Sequence, residues 1–252
     1  MTPRMRKQGT SGQALVIASL IISVLLLSTT YCVFETKRAM IKDATATNSS
    51  LDSIRLSTAN TMISALANFT NGGEREVLIA DLSRLSSSIR NHFYEDRCLI
   101  QFTPLNSSPY ENGLYIMWGQ DGIGISGSYV RFVVNSSGPT ETYYSEYSIN
   151  ITTTLSLKST YASVDAQRNV NVTCGMSNEN EVALMNDIQL FYRDEPDGPW
   201  TIVDSYNSFD DFGNGTYLFS FNVPGQGFLQ ISASAHDLRD VMVATNVTST
   251  QV

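Results

Sequence analysis

The stretch Tyr143-Tyr-Ser-Glu-Tyr-Ser-Ile-Asn-Ile-Thr-Thr-Thr-Leu-Ser-Leu157 decides the reading of this chain. From Tyr147 onward, Ile149, Ile151, Thr153, Leu155 and Leu157 fall on every second residue. Successive side chains of an extended backbone point to opposite faces, so the alternation marks a strand with one buried face. On either side, from Cys98 to the C-terminal end, Pro, Gly and Asn punctuate short runs rich in Tyr, Val, Ile, Phe and Thr. Strands are expected at 98–102, 113–118, 128–135 and 143–157, then at 168–176, 186–193, 199–204, 215–223, 227–235 and 240–248. Turn signals lie at Asp194-Glu-Pro-Asp-Gly198, Gly213-Asn-Gly215 and Pro224-Gly-Gln-Gly227. Short strands at such regular spacing imply an antiparallel sandwich.

Upstream of Cys98 the period changes. Leu51, Ile54, Met62, Leu66 and Phe69 recur at helical intervals, and no Pro or Gly interrupts the chain from Gln13 to Asn71. Asn71-Gly72-Gly73 supplies a helix stop. A second helix is expected over 74–95, with Leu78, Leu82, Leu85, Ile89 and Phe93 on one face. Two apolar stripes joined by so short a turn would pack as an antiparallel helical hairpin.

Gln13 through Phe34 contains no charged side chain and follows a leader carrying Arg4, Arg6 and Lys7. As a helix it would reach about 30 Å, the thickness of a bilayer core. The expectation is a helix in contact with the lipid bilayer through residues 13–34. The basic leader then places the N-terminus in the cytoplasm and the C-terminal domain outside the cell. A cleaved signal peptide with its apolar core at Ala14–Leu27 is the competing reading.

The run Gly12-Gln13-Ala14-Leu15-Val16 resembles the start of Tad-type and archaeal type IV pilin-like proteins. The resemblance implies a leader cut between Gly12 and Gln13, an apolar helix leading into a surface domain, and identical or related pilin-like subunits as partners. Ile17 stands where these families often carry Glu. The stretches Asp211-Phe-Gly-Asn-Gly-Thr-Tyr217 and Phe228-Leu-Gln-Ile-Ser-Ala-Ser-Ala-His-Asp237 resemble immunoglobulin-like modules of bacterial and archaeal surface proteins, over about residues 159–252. The expected class is α+β: leader 1–12, transmembrane helix 13–34, helical hairpin 35–97, β-rich middle region 98–158 and an immunoglobulin-like sandwich 159–252.

Beyond Glu35 the chain carries 13 basic and 23 acidic side chains. Such a surface repels phosphates, so no nucleic-acid partner is expected. Asn-x-Ser/Thr occurs eight times, at Asn48, Asn68, Asn106, Asn135, Asn150, Asn171, Asn214 and Asn246. These are candidate glycosylation sites, or a consequence of a chain rich in Ser, Thr and Asn. Cys98 and Cys174 could pair in an oxidising exterior. Equally, Cys174 continues an alternating apolar face with Val170, Val172 and Met176 and could be a buried thiol.

Catalytic signals are weak. Gly122-Ile-Gly-Ile-Ser-Gly127 matches a nucleotide-loop pattern, but strand-forming residues follow it where a helix is required, so it reads as a glycine-rich turn. His92 suits a helix end, and His236 precedes Asp237 at a strand end, but no nucleophile elbow appears. Acids at Asp194, Glu195 and Asp197 and at Asp210 and Asp211 lack the spacing of a calcium loop. No cofactor, metal or catalytic residue is therefore assigned. The expected function is that of an anchored, outward-facing, pilin-like structural subunit. The alternative is a non-polymerising, anchored adhesin-like or envelope interaction module.

Overall fold

The alternation around Tyr147 continues to Val164 as one strand of 23 residues, β4 (Thr142–Val164). The structure, a computed structural model, describes residues 29–30, 51–92, 97–119, 121–137 and 142–252. Two units are distinguished, Met1–Ile54 and Arg55–Val252. In the first, residues 29–30 and 51–54 are helical. The second holds all the strands.

Helix α1 covers residues 51–70 and α2 covers Val77–His92. Among the described residues thirteen strands follow. Those before β4 are β1 (Leu99–Pro104), β2 (Leu114–Trp118) and β3 (Ile123–Ser137). After it come β5 (Gln167–Asn178), β6 (Glu181–Val182), β7 (Met185–Arg193), β8 (Thr201–Ile202) and β9 (Ser208–Asp211). The last are β10 (Thr216–Pro224), β11 (Gln230–Asp237), β12 (Met242–Thr248) and β13 (Thr250–Gln251).

β4 serves two neighbourhoods. Its first part pairs with β3 in one long hairpin, from Ser137↔Thr142 to Ile123↔Ser156. Its later part pairs with β5, from Thr153↔Asn178 to Val164↔Gln167. β1 and β2 share the other edge of β3. Over this hairpin lie the helices. Arg55 sits above the Tyr147 ring at 5.0 Å, Thr58 Oγ1 is 3.3 Å from the Tyr147 hydroxyl, and Ser86 donates to the Ile100 carbonyl. Leu78, Leu82 and Ile89 of α2 are buried, as are Ile100, Val130, Phe132 and Val134 of the sheet. Strand positions 158 and 159 are continuous within β4, and both flanking regions belong to the second unit.

Beyond Thr153 two layers stack. One runs β4-β5-β10-β9 and the other β12-β11-β7-β8. In chain order the first layer takes β4, β5, β9 and β10, and the second takes β7, β8, β11 and β12. Leu155, Leu157, Val170, Val172, Phe219 and Phe221 from the first layer meet Leu190, Ile231, Ala233 and Val243 from the second. The period-2 alternation that forms the strands thus also supplies the core.

A buried polar cluster pins the layers together. The Asp237 carboxylate accepts from Thr153 Oγ1 at 3.0 Å, from Arg239 Nε at 2.8 Å and from the Arg239 and Val241 backbone N–H groups. Arg239 also bonds both Glu179 oxygens, at 2.9 and 3.1 Å. Burial pulls the Arg239 pKa down, but its bonds to Glu179 and Asp237 outweigh that and hold it above the usual guanidinium value. At the opposite end Arg168 is wholly buried and donates to the Pro224 and Phe228 carbonyls, each at 2.6 Å.

The membrane reading is corrected. Among the described residues no helix is long and apolar enough to cross a membrane. Asp52 and Arg55, with many Ser, Thr and Asn, break up α1, while Asp81, Arg84 and Arg90 break up α2. The transmembrane helix with its hairpin extension, and the single-pass localisation built on it, therefore give way to a mostly antiparallel β architecture among the described residues, with α1 and α2 as short helices. Residues 13–34, with their bilayer contact, lie outside the described residues except for Thr29 and Thr30, as do Gly12, Cys32 and Asn48.

Candidate functional site

An aromatic-lined recess opens where β9 and β10 of one layer face β7 of the other. It encloses about 440 Å³, with Tyr217, Phe219 and Met185 forming its buried floor. Tyr217 bridges the layers there, its hydroxyl accepting from the Met185 N–H at 3.1 Å. Phe209 lies over this floor, nearly parallel to Tyr217 at 6.2 Å and 5.0 Å from Phe219, yet remains 51% exposed. Tyr206 closes one side, 5.1 Å from Phe219. Burial, and secondarily the Cys174 thiol, push the Tyr206 pKa above its usual value. Asp187 and Asp211 line the recess, and among the described residues no Lys or Arg does. Asp187 sits at φ 49°, a left-handed position that Asp tolerates better than most residues. Asp211 Oδ1 accepts from the Gly213 N–H at 2.8 Å, which fixes the turn after β9.

These residues offer ring faces and carboxylates, a combination suited to binding cations. A hydrolytic centre would need a nucleophile held by a base, and the candidates for that role are engaged elsewhere. His236 Nε2 is 2.8 Å from Asn71 Oδ1, and Asn71 Nδ2 donates to the Asp240 carbonyl, so the β11–β12 turn is fastened to the end of α1. Asp237 spends both oxygens on Arg239, Thr153 and backbone N–H groups. His92 lies in the last turn of α2. Among the described residues no group of three or more His, Cys, Asp or Glu could hold a metal ion.

Gly122 sits in a bend at φ 75°, and the rest of the glycine-rich stretch is the first part of β3. A Cβ at Gly124 would stand 2.2 Å from the Ala244 carbonyl oxygen, and one at Gly122 2.4 Å from that of Leu157. Gly124 lets β12 lie directly on β3, and Gly122 lets the chain pass close to β4. Ser126 completes the joint by donating to the Met242 carbonyl at 2.7 Å.

Cys98 and Cys174 are both buried and are not joined to each other. Burial alone pushes the Cys174 thiol up to about 12. Of the described candidate glycosylation positions, Asn68, Asn106, Asn135, Asn150, Asn171 and Asn214 are exposed. Asn246 is half-buried and accepts from Gln230 Nε2 at 2.8 Å. Asn214 lies in the turn before β10, where its Oδ1 accepts from the Thr216 N–H. At Asn68 the partner hydroxyl, Thr70 Oγ1, is buried and accepts from the Met242 N–H.

The sequence reading passed over β9 and Tyr206, treating 205–214 as connection. The signal available was Tyr206, Phe209 and Phe212 at three-residue spacing in a supposed loop. Large aromatics in a connection need a surface to lie on. No protein-family model, curated protein or solved structure matches this chain.

Proposed function

We propose that the chain is a non-catalytic interaction module of the adhesin-like kind: a rigid two-layer scaffold that presents a contact site at the β9 edge. The observation carrying this reading is the aromatic recess flanked by Asp187 and Asp211 on an edge strand. Ring faces and carboxylates on a stiff sheet bind without needing to move, which lowers the ordering cost of association. The engagement of Asp237 in a layer-joining bond, and of His236 with Asn71 at the end of α1, supports the same view.

Stacking of identical copies, the pilin-like role, is a second reading, favoured by the uncharged run Gln13–Phe34. Sedimentation velocity of the full chain over a wide concentration range separates the two. A species that does not grow with concentration supports the interaction module, and progressive self-association supports the subunit. Saturable turnover of an ester, peptide or glycoside that disappears in His236→Ala would overturn the non-catalytic reading.

A further inference from the structure

We infer that the free edge of β9 receives an extended basic peptide as an added strand, with alternate Lys or Arg side chains entering the recess beside Phe209 and Asp211. This rests on the interaction-module reading and specifies the partner.

Geometry comes first. Among the described residues β9 ends its sheet, pairing on one side with β10 and presenting its other side unpaired. All four of its residues are exposed. An edge of that kind offers backbone donors and acceptors to an incoming strand. Phe209 and Asp211 are two residues apart, and both line the recess, so they share one face of β9. A strand laid alongside would put every second side chain over that same recess.

Charge then selects the side chain. The recess combines exposed ring surface at Phe209 and Tyr206 with the carboxylates of Asp187 and Asp211, and none of the described residues lining it is basic. Asp210 adds a third carboxylate on the outer face of β9. A cation there meets both a ring quadrupole and a carboxylate. A second copy of this chain is a poor occupant of the same edge. Pairing two β9 strands would gather the carboxylates of Asp210 and Asp211 from both copies into one short ladder, where like charges repel.

The test uses the full chain and two fluorescein-labelled octapeptides, one alternating lysine with valine or threonine, the other with glutamate in each lysine position. Fluorescence anisotropy at low salt is expected to show binding of the lysine peptide alone, weakening as salt rises. The pair Asp187→Asn and Asp211→Asn removes both charges, while Asn keeps the acceptor for Gly213 and tolerates the left-handed φ at 187. It should weaken binding about tenfold, and Phe209→Ala should do so about fivefold. Amide exchange should slow at residues 208–211 when the peptide is bound. Equal binding of both peptides, unchanged affinity in the Asn pair, protection away from β9, or tighter binding of a neutral oligosaccharide would overturn the assignment. Absence of peptide binding in a chain without turnover would sink this inference alone. Saturable turnover would sink the reading beneath it.

Discussion

The hydroxyl of Thr153 lies 3.0 Å from the Asp237 carboxylate, and neither side chain is exposed to solvent. One residue belongs to β4 and the other ends β11, so this bond runs from layer to layer. Asp237 also holds Arg239, which reaches on to Glu179. Asp237→Ala is expected to lower unfolding free energy by about 2–4 kcal/mol, because it strands a partly buried guanidinium and two backbone donors. Glu179→Gln, at a more exposed carboxylate, should cost about 1 kcal/mol or less. Urea unfolding of both variants checks the ordering.

Arg168 holds the opposite end of the sandwich through the Pro224 and Phe228 carbonyls. Arg168→Met fills much of the same space but leaves both carbonyls without their donor. A loss of about 2–4 kcal/mol is expected, with faster amide exchange in the 224–229 loop than elsewhere. Hydrogen exchange read by mass spectrometry resolves the loop. Uniform acceleration across all strands would contradict the local role.

Cys174 gives a pH dependence of defined sign. Its thiol sits at about 12 in the folded chain against an ordinary value of 9.0. Below pH 9 both folded and unfolded chains keep the proton, and the contribution to stability is constant. Between 9 and 12 the unfolded chain loses its proton first, so stability falls as pH rises. Cys174→Val should therefore show a shallower alkaline decline than the parent, measured as the difference in urea midpoint between pH 8 and pH 10.5. Equal slopes would remove the thiol as the cause.

The glycines of β3 should be unequal. At Gly124 an added Cβ meets a backbone oxygen at 2.2 Å, so Gly124→Ala must push β12 off the sheet. At Gly127 the nearest atom is 3.3 Å away. The first substitution is expected to cost about 1–3 kcal/mol and the second clearly less, by thermal or urea unfolding. Neither should alter any interaction with nucleotides, because the stretch is strand and no helix N-terminus follows it.

Legibility followed the physics of each element. β4, β5 and β10 were readable because one side of each strand is buried and the other wet, leaving a period of two in the residues themselves. The start of β3 was not, since Gly124 answers to the strand above it rather than to its own sheet. β9 was hidden for the converse reason: its four residues are all exposed, so burial writes no pattern into them. The α2 stripe gave Leu78, Leu82 and Ile89 correctly as core. The membrane expectation came from Gln13–Phe34, and no described helix carries it. The acids and rings of the recess meet only in three dimensions, because Asp187 and Asp211 sit on different layers. Spacing likewise said nothing about whether Cys98 and Cys174 would meet.

The length of β4 has a mechanical corollary. The helix-covered hairpin and the sandwich share this strand as a common beam, so neither can loosen without taking the other's ladder with it. Load applied near Arg55 would travel along β4 and be resisted as shear by its twelve-residue pairing with β5, a geometry that yields all at once rather than bond by bond. A chain so built transmits a pull instead of absorbing it.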